Sequence, residues 1–192
     1  MQAIRFMKNV FHPQVQISQP MNNKSMDVIV VFLLFVFAFI FSLNKVAGPD
    51  TFWHLAIGRY IVTSHTIPAH DVFSYTLPQT AFYRVEWLFD VIWFIIYSVS
   101  GMSGLVLLKS FISGSIAVLT FFSLQHYKVN RYISFFTIIS IFFIVGSDIG
   151  DRPQIITYLG IILFVFITSI QNIDNKKTLW LIPFIMLLWG SV

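Results

Sequence analysis

Two segments of the sequence place ionisable side chains four residues apart. Asp50 and His54 form the first pair, and Glu86 and Asp90 form the second. Residues at i and i+4 of a helix share a face, so the members of each pair could act together on one ligand. A carboxylate or a histidine can serve as a general base, and two carboxylates on one face could bind a cation or a sugar hydroxyl.

Both pairs also have a structural interpretation. An aspartate at a helix start, as Asp50 would be, accepts hydrogen bonds from the first free backbone N–H groups and suits the positive end of the helix. His54 would then be a polar side chain at the membrane surface. Glu86 and Asp90 could equally pair with Arg84 and water. The spacing leaves both interpretations open.

The composition indicates the environment of these pairs. The chain has 192 residues, of which 57% are hydrophobic and 10% are charged, and its mean hydropathy is +0.79. Soluble domains are about 25% charged, so we predict an all-α polytopic membrane protein. The sequence has no cysteine and therefore no thiolate metal site. Its net charge of +4 is spread over short loops, which argues against a nucleic acid partner.

Six apolar stretches of unequal length could form the membrane helices. They are Val28–Leu43, Trp87–Ser98, Gly104–Tyr127, Tyr132–Gly146, Pro153–Ile170 and Leu179–Val192. Crossing ~30 Å of hydrocarbon takes about 20 helical residues, and Trp87–Ser98 is too short. If that stretch lies in the interface or re-enters, the basic loops share the side of the basic N-terminus, and most acidic residues fall on the other side.

This arrangement gives a domain organisation. We predict a cytoplasmic N-terminal segment over residues 1–26 and a multi-pass transmembrane domain over residues 27–192, with an outer loop over about residues 44–103. The first span is expected to stay uncleaved. The last apolar stretch stops partway through a membrane helix, which predicts a domain truncated at its C-terminus.

The outer loop is expected to contain amphipathic juxtamembrane helices. Between Thr51 and Ser64 the apolar residues recur at helical spacing, which predicts a helix lying on the membrane. Its apolar stripe consists of Phe52, Leu55, Ala56, Tyr60 and Ile61. The turn-rich connector that follows contains Asp71, for which a capping role is expected.

The order of these segments resembles the bacterial GT-C glycosyltransferases. The likeness is to the branch related to protein mannosyltransferases and lipid A aminoarabinose transferases, and it covers roughly residues 26–190. The segments that carry it are Asp50–Ile61 (DTFWHLAIGRYI), Ile67–Thr76 (IPAHDVFSYT), Glu86–Leu88, Gly101–Lys109 (GMSGLVLLK) and Arg152–Gln154.

The resemblance implies transfer of a sugar from a polyprenyl-phosphate carrier to an acceptor, on the outer face of the cell inner (plasma) membrane. Asp50 takes the position of the acidic residue after the first span, which acts as the base or helps to hold a metal. The candidate catalytic residues are Asp50, His54 and Glu86. The candidate substrate-binding residues are Asp148, Asp151, Arg152 and Lys109, the two basic ones for the carrier phosphate.

Several alternatives stay open at this point. Asp50, Glu86, Asp148 and Asp151 offer oxygen ligands of the kind that Mg²⁺ or Mn²⁺ accepts, but metal dependence is undecided. Arg152 could pair with either neighbouring aspartate instead of a phosphate. The chain could also be a non-catalytic membrane scaffold or an inactive fragment of such an enzyme. An active site requires Asp50 to lie near Asp148 or Asp151, whereas a scaffold does not.

Overall fold

The computed structural model describes residues 24–46, 48–73, 86–145 and 153–170. This part of the chain is 83% helical and contains no strand, which confirms the all-α class. Its five helices are α1 (Lys24–Phe41), α2 (Pro49–Ser64), α3 (Trp87–His126), α4 (Arg131–Val145) and α5 (Gln154–Ile170).

Most of the predicted elements are present with similar bounds. Three of the apolar stretches correspond to α1, α4 and α5, and the predicted outer-loop helix corresponds to α2. Asp71 accepts a hydrogen bond from the backbone N–H of Phe73 at 2.9 Å, so the expected local turn is also found. The stretch Leu179–Val192 lies outside the described residues.

The longest helix, α3, is broken at one residue. Its 40 residues contain Gly101, whose backbone has φ 62° and ψ −158°, a combination that only glycine adopts readily. The predicted elements Trp87–Ser98 and Gly104–Tyr127 therefore follow each other directly, with a break and no loop between them. The second segment, from Met102 to His126, is about 37 Å long at 1.5 Å per residue, enough for one crossing of a bilayer.

We expect Gly101→Ala to destabilise the protein by about 1–3 kcal/mol, the usual cost of forcing a side chain into this backbone region. A Cβ atom at Gly101 would meet no other group within 4 Å, so the effect would come from the backbone alone. The chain lacks cysteine, so spin labels can be placed on cysteines introduced at the exposed positions Ile92 and Leu107. A changed label distance and a lower Tm, with Ser103→Ala as the neutral control, would confirm the break. An unchanged distance and Tm would contradict it.

Two hydrophobic clusters organise the bundle. The first joins α1, the second segment of α3, and α4 through Leu34, Ala38, Phe121, Ile138 and Phe142, among others. Phenylalanine rings from α1 and α4 meet edge to face within it, with ring centroids 6.1 Å apart for Phe37 and Phe142. Such pairs add to the stability gained from burial alone.

The second cluster lies at the opposite end of the bundle from the start of α1. It joins α2 to α3 through Leu55, Phe89, Trp93 and Leu105, with Ile156 of α5 packed against it. At the other end, Asp27 near the start of α1 lies 3.4 Å from Arg131 at the start of α4. The ends of the bundle are therefore different: one is closed by an ion pair and the other carries α2.

The outside of the bundle is apolar. Large side chains are exposed along the helices, for example Phe32, Phe111, Phe136 and Ile144. Within the described ranges, α3 is the one helix long and apolar enough to cross a membrane, while α1, α4 and α5 are apolar but shorter.

Candidate functional site

The candidate site begins where α2 starts, one short link after α1. Gly48 is the N-cap residue of α2, Pro49 follows it inside the helix, and Asp50 belongs to the first turn. Proline suits this position because its missing N–H would have no partner within the helix. Gly48, which has no side chain, is the N-cap residue, so Asp50 is not the N-cap itself but an acidic residue of the first turn. Its carboxylate is exposed and lies at the positive end of the helix.

The buried face of α2 differs from the predicted apolar stripe. Leu55 and Ile61 are buried as expected, but Phe52 is 62% exposed. The buried residues of α2 also include Thr51, His54 and Gly58, and the last two of these contact α3. The prediction from hydrophobicity was therefore wrong about which face of α2 is buried. The reason is that α3 provides a polar partner for His54 and a close backbone contact for Gly58.

Gly58 lets α2 approach the backbone of α3. A Cβ atom at this position would overlap the carbonyl oxygen of Asp90 and lie 2.7 Å from the Cβ of Phe94. Glycine is used where another backbone comes this close. The two helices are therefore in direct contact one turn beyond His54, at a separation that any larger residue would prevent.

His54 and Asp90 form a buried pair between the two helices. Their Nδ1 and Oδ1 atoms are 2.7 Å apart, and both side chains are almost fully buried, with 6% and 0% exposed. The imidazole donates the Nδ1 proton and the carboxylate accepts it, which makes a short charge-assisted hydrogen bond. The ring of Phe89 meets the imidazole edge to face, with centroids 5.1 Å apart. The pair is thus enclosed by aromatic side chains.

Two further polar groups are buried in the same region. The hydroxyl of Thr51 and the indole N–H of Trp93 have no hydrogen-bond partner among the described residues. Thr51 lies on α2 and Trp93 lies one turn after Asp90 on α3. Both α2 and α3 therefore contain buried polar groups in addition to His54 and Asp90.

The predicted site residues fall in three different surroundings. Asp50 is exposed and His54 is buried, although both lie on the first two turns of α2. Glu86 is half-buried at the N-cap position of α3. Lys109 is buried on the second segment of α3, with 1% of its surface exposed. Asp148, Asp151 and Arg152 lie outside the described residues, as does any contact between them and Asp50.

Asp90 is the residue whose role the sequence did not reveal. Its i, i+4 relation to Glu86 suggested a cation or sugar site, but its carboxylate is buried against His54. The two residues are 36 positions apart, so local spacing could not pair them. One signal was available: a charged residue inside a short apolar helix needs a buried partner.

Metal ligation has no support in the described ranges. No three histidine, aspartate or glutamate side chains there lie close enough to hold an ion.

Comparisons with known proteins add no family assignment. No protein-family model, no curated protein and no solved structure matches this chain. The function must be argued from the residues and the geometry above.

Proposed function

We propose that this chain is a multi-pass membrane glycosyltransferase of the GT-C type. It transfers a sugar from a polyprenyl-phosphate carrier to an acceptor on the outer face of the membrane, with Asp50 as the general base. The observation that carries the proposal is the position of Asp50: an exposed carboxylate on the first turn of a helix that is fixed to α3 through a buried polar contact.

The membrane part of the proposal is supported by where the apolar surface lies. In the most apolar 18-residue stretch of α3, only 17% is buried inside the protein. The core helix of a soluble protein would be mostly buried. Lipid can cover such a surface, and the helical backbone satisfies its own hydrogen bonds there. On this proposal α1, α4 and α5 also span, and local thinning of the bilayer and snorkelling of flanking side chains compensate for their short apolar lengths.

The orientation is supported by the charges at the two ends of the bundle. Arg131 and the neighbouring Lys128 lie at the end that carries the start of α1. Short cytoplasmic loops collect lysine and arginine, so this end faces the cytoplasm. The opposite end of the bundle then faces outward. The segments at that end contain Asp50, Asp71 and Glu86.

The proposed chemistry needs two charges of opposite sign. The carboxylate of Asp50 takes the proton of the acceptor hydroxyl as that oxygen attacks the anomeric carbon. The bond from the anomeric carbon to the carrier phosphate breaks, and the phosphate leaves with the electron pair. A cation stabilises the departing phosphate. Lys109 and Arg152 are the proposed cations, and Arg152 also has the neighbouring aspartates as possible ion-pair partners.

The proposal is tested by sugar transfer in membranes that contain the chain. With a mixed pool of polyprenyl-phosphate sugars as donors, we expect transfer by the parent and a loss of about 10²–10⁴-fold for Asp50→Asn, the usual contribution of a general base. Asp71→Asn is the matched control, because it changes an outer carboxylate that forms a local turn with Phe73. It is expected to keep parental activity.

Two results would overturn the proposal. Equal transfer by the parent and by Asp50→Asn would remove Asp50 from the reaction. Transfer by neither, with both proteins inserted to the same level, would favour the non-catalytic scaffold.

A further inference from the structure

We propose that Asp90 is a positioning residue. Through His54 it fixes the register of α2 on α3, and thereby the place of Asp50 at the outer end of the bundle. The catalytic consequence rests on the proposed function, whereas the fixing of α2 does not.

Two contacts of different kinds hold α2 against α3. The approach at Gly58 brings the two backbones together and limits how far α2 can slide or rotate without a side-chain clash. The hydrogen bond from Nδ1 of His54 to Oδ1 of Asp90, at 2.7 Å, has a direction and a fixed length. Rotating α2 about its axis or sliding it along α3 would break that bond inside an apolar cluster.

The free-energy cost of breaking this hydrogen bond favours one register of α2 on α3 over the others. His54 and Asp90 are 4% and 0% exposed, and the ring of Phe89 contacts the imidazole, so water has little access to replace this hydrogen bond. Buried polar pairs are best known for setting register between packed helices. Here the element placed in register is α2, whose first turn carries Asp50 one helical turn before His54.

The consequence for Asp50 follows from helix geometry. Asp50 and His54 are separated by about 6 Å along the axis of α2 at 1.5 Å per residue. Because the helix is rigid over this short distance, fixing the position of His54 also fixes the position of Asp50. A misplacement of about 1 Å at a reacting group can lower a rate by about 10²-fold. A variable register of α2 would therefore lower the rate of the step that uses Asp50.

The test compares Asp90→Ala with Asp90→Asn and His54→Asn. Alanine removes the acceptor, whereas Asp90→Asn keeps an amide oxygen that can accept the Nδ1 proton. His54→Asn keeps an N–H donor near the position of Nδ1. The first measurement is the distance distribution between spin labels on cysteines introduced at Arg59 and Ile95, which are exposed on α2 and α3. Asp27→Asn, at the opposite end of the bundle, is the control.

We expect a narrow distribution for the parent, for both asparagine variants and for Asp27→Asn, and a broad or shifted one for Asp90→Ala. An unchanged distribution in Asp90→Ala would overturn the inference. If Asp90→Ala does not fold, the asparagine variants decide, because broad distributions in both would show that the hydrogen bond does not set the register.

The second measurement is sugar transfer by the same proteins. We expect kcat to fall about 10²-fold in Asp90→Ala, with KM little changed and with near-parental kcat in Asp90→Asn. A KM increase at constant kcat would instead indicate lost donor binding and would overturn the positioning of Asp50. If even the parent is inactive while the label distances respond as expected, the proposed function fails and the fixing of α2 stands.

Discussion

Gly58→Ala is expected to separate α2 from α3 and to cause the largest loss of stability of any glycine substitution in the described bundle. The added Cβ would overlap the carbonyl oxygen of Asp90 and lie 2.7 Å from its carbonyl carbon and from the Cβ of Phe94. None of these atoms can turn away, because they belong to the backbone or are attached directly to it. Overpacking of this kind costs about 1–3 kcal/mol or more, and here it would also stretch the His54–Asp90 hydrogen bond.

Gly114→Ala provides a matched control for Gly58→Ala. A Cβ at Gly114 would also come within 2.7 Å of another group, but that group is the ring of Phe35. A phenylalanine ring can swing to another rotamer, so the loss should be smaller. Thermal unfolding of the detergent-solubilised proteins measures the difference. Equal Tm values for the two variants would show that α2 does not depend on the contact at Gly58.

The second large effect is a difference in stability loss between substitutions of His54 and substitutions of Asp90. His54→Leu removes the described donor to a fully buried carboxylate, and taking one partner from a buried charged group costs up to about 3–5 kcal/mol. Asp90→Leu removes the carboxylate and leaves a polar ring, for which the loss of one hydrogen bond costs about 1–3 kcal/mol. We therefore expect His54→Leu to unfold at the lower temperature.

The double variant His54→Leu/Asp90→Leu should be more stable than His54→Leu alone. The double variant leaves no buried carboxylate in the cluster, and replacing a buried pair by apolar residues is often neutral or stabilising. The cycle of four proteins is measured by thermal unfolding. A double variant that is as unstable as the sum of the two single losses would mean that His54 and Asp90 do not interact in the folded protein.

Comparison of sequence and structure shows where local patterns were sufficient. The apolar runs and the helical spacing after Asp50 were enough to predict α1, α2, α4 and α5, because these signals depend on neighbouring residues only. The two apolar runs within α3 were also separate in the sequence, whereas the charge argument that keeps the first run from spanning stays a prediction. Its physical basis at Gly101, a backbone conformation with positive φ, has no counterpart in a hydrophobicity pattern.

Only those features of the candidate site that depend on neighbouring residues could be predicted from the sequence. The position of Asp50 at the start of a helix followed from Gly48, Pro49 and the apolar stripe. The burial of His54 did not, because it depends on a carboxylate 36 residues away and on the missing side chain of Gly58. Both are properties of the contact between two helices, and such contacts are set by tertiary packing.

The unequal ends of the bundle also order its assembly during synthesis. The contact between α2 and the first segment of α3 needs no residue beyond Asp90 and Phe94, whereas the ion pair of Asp27 must await Arg131. At about 5–20 residues per second, the ribosome needs about 2–8 s to extend the chain from Asp90 to Arg131. The His54–Asp90 contact can thus form before the Asp27–Arg131 ion pair, and Ile156 of α5 joins the second cluster after both.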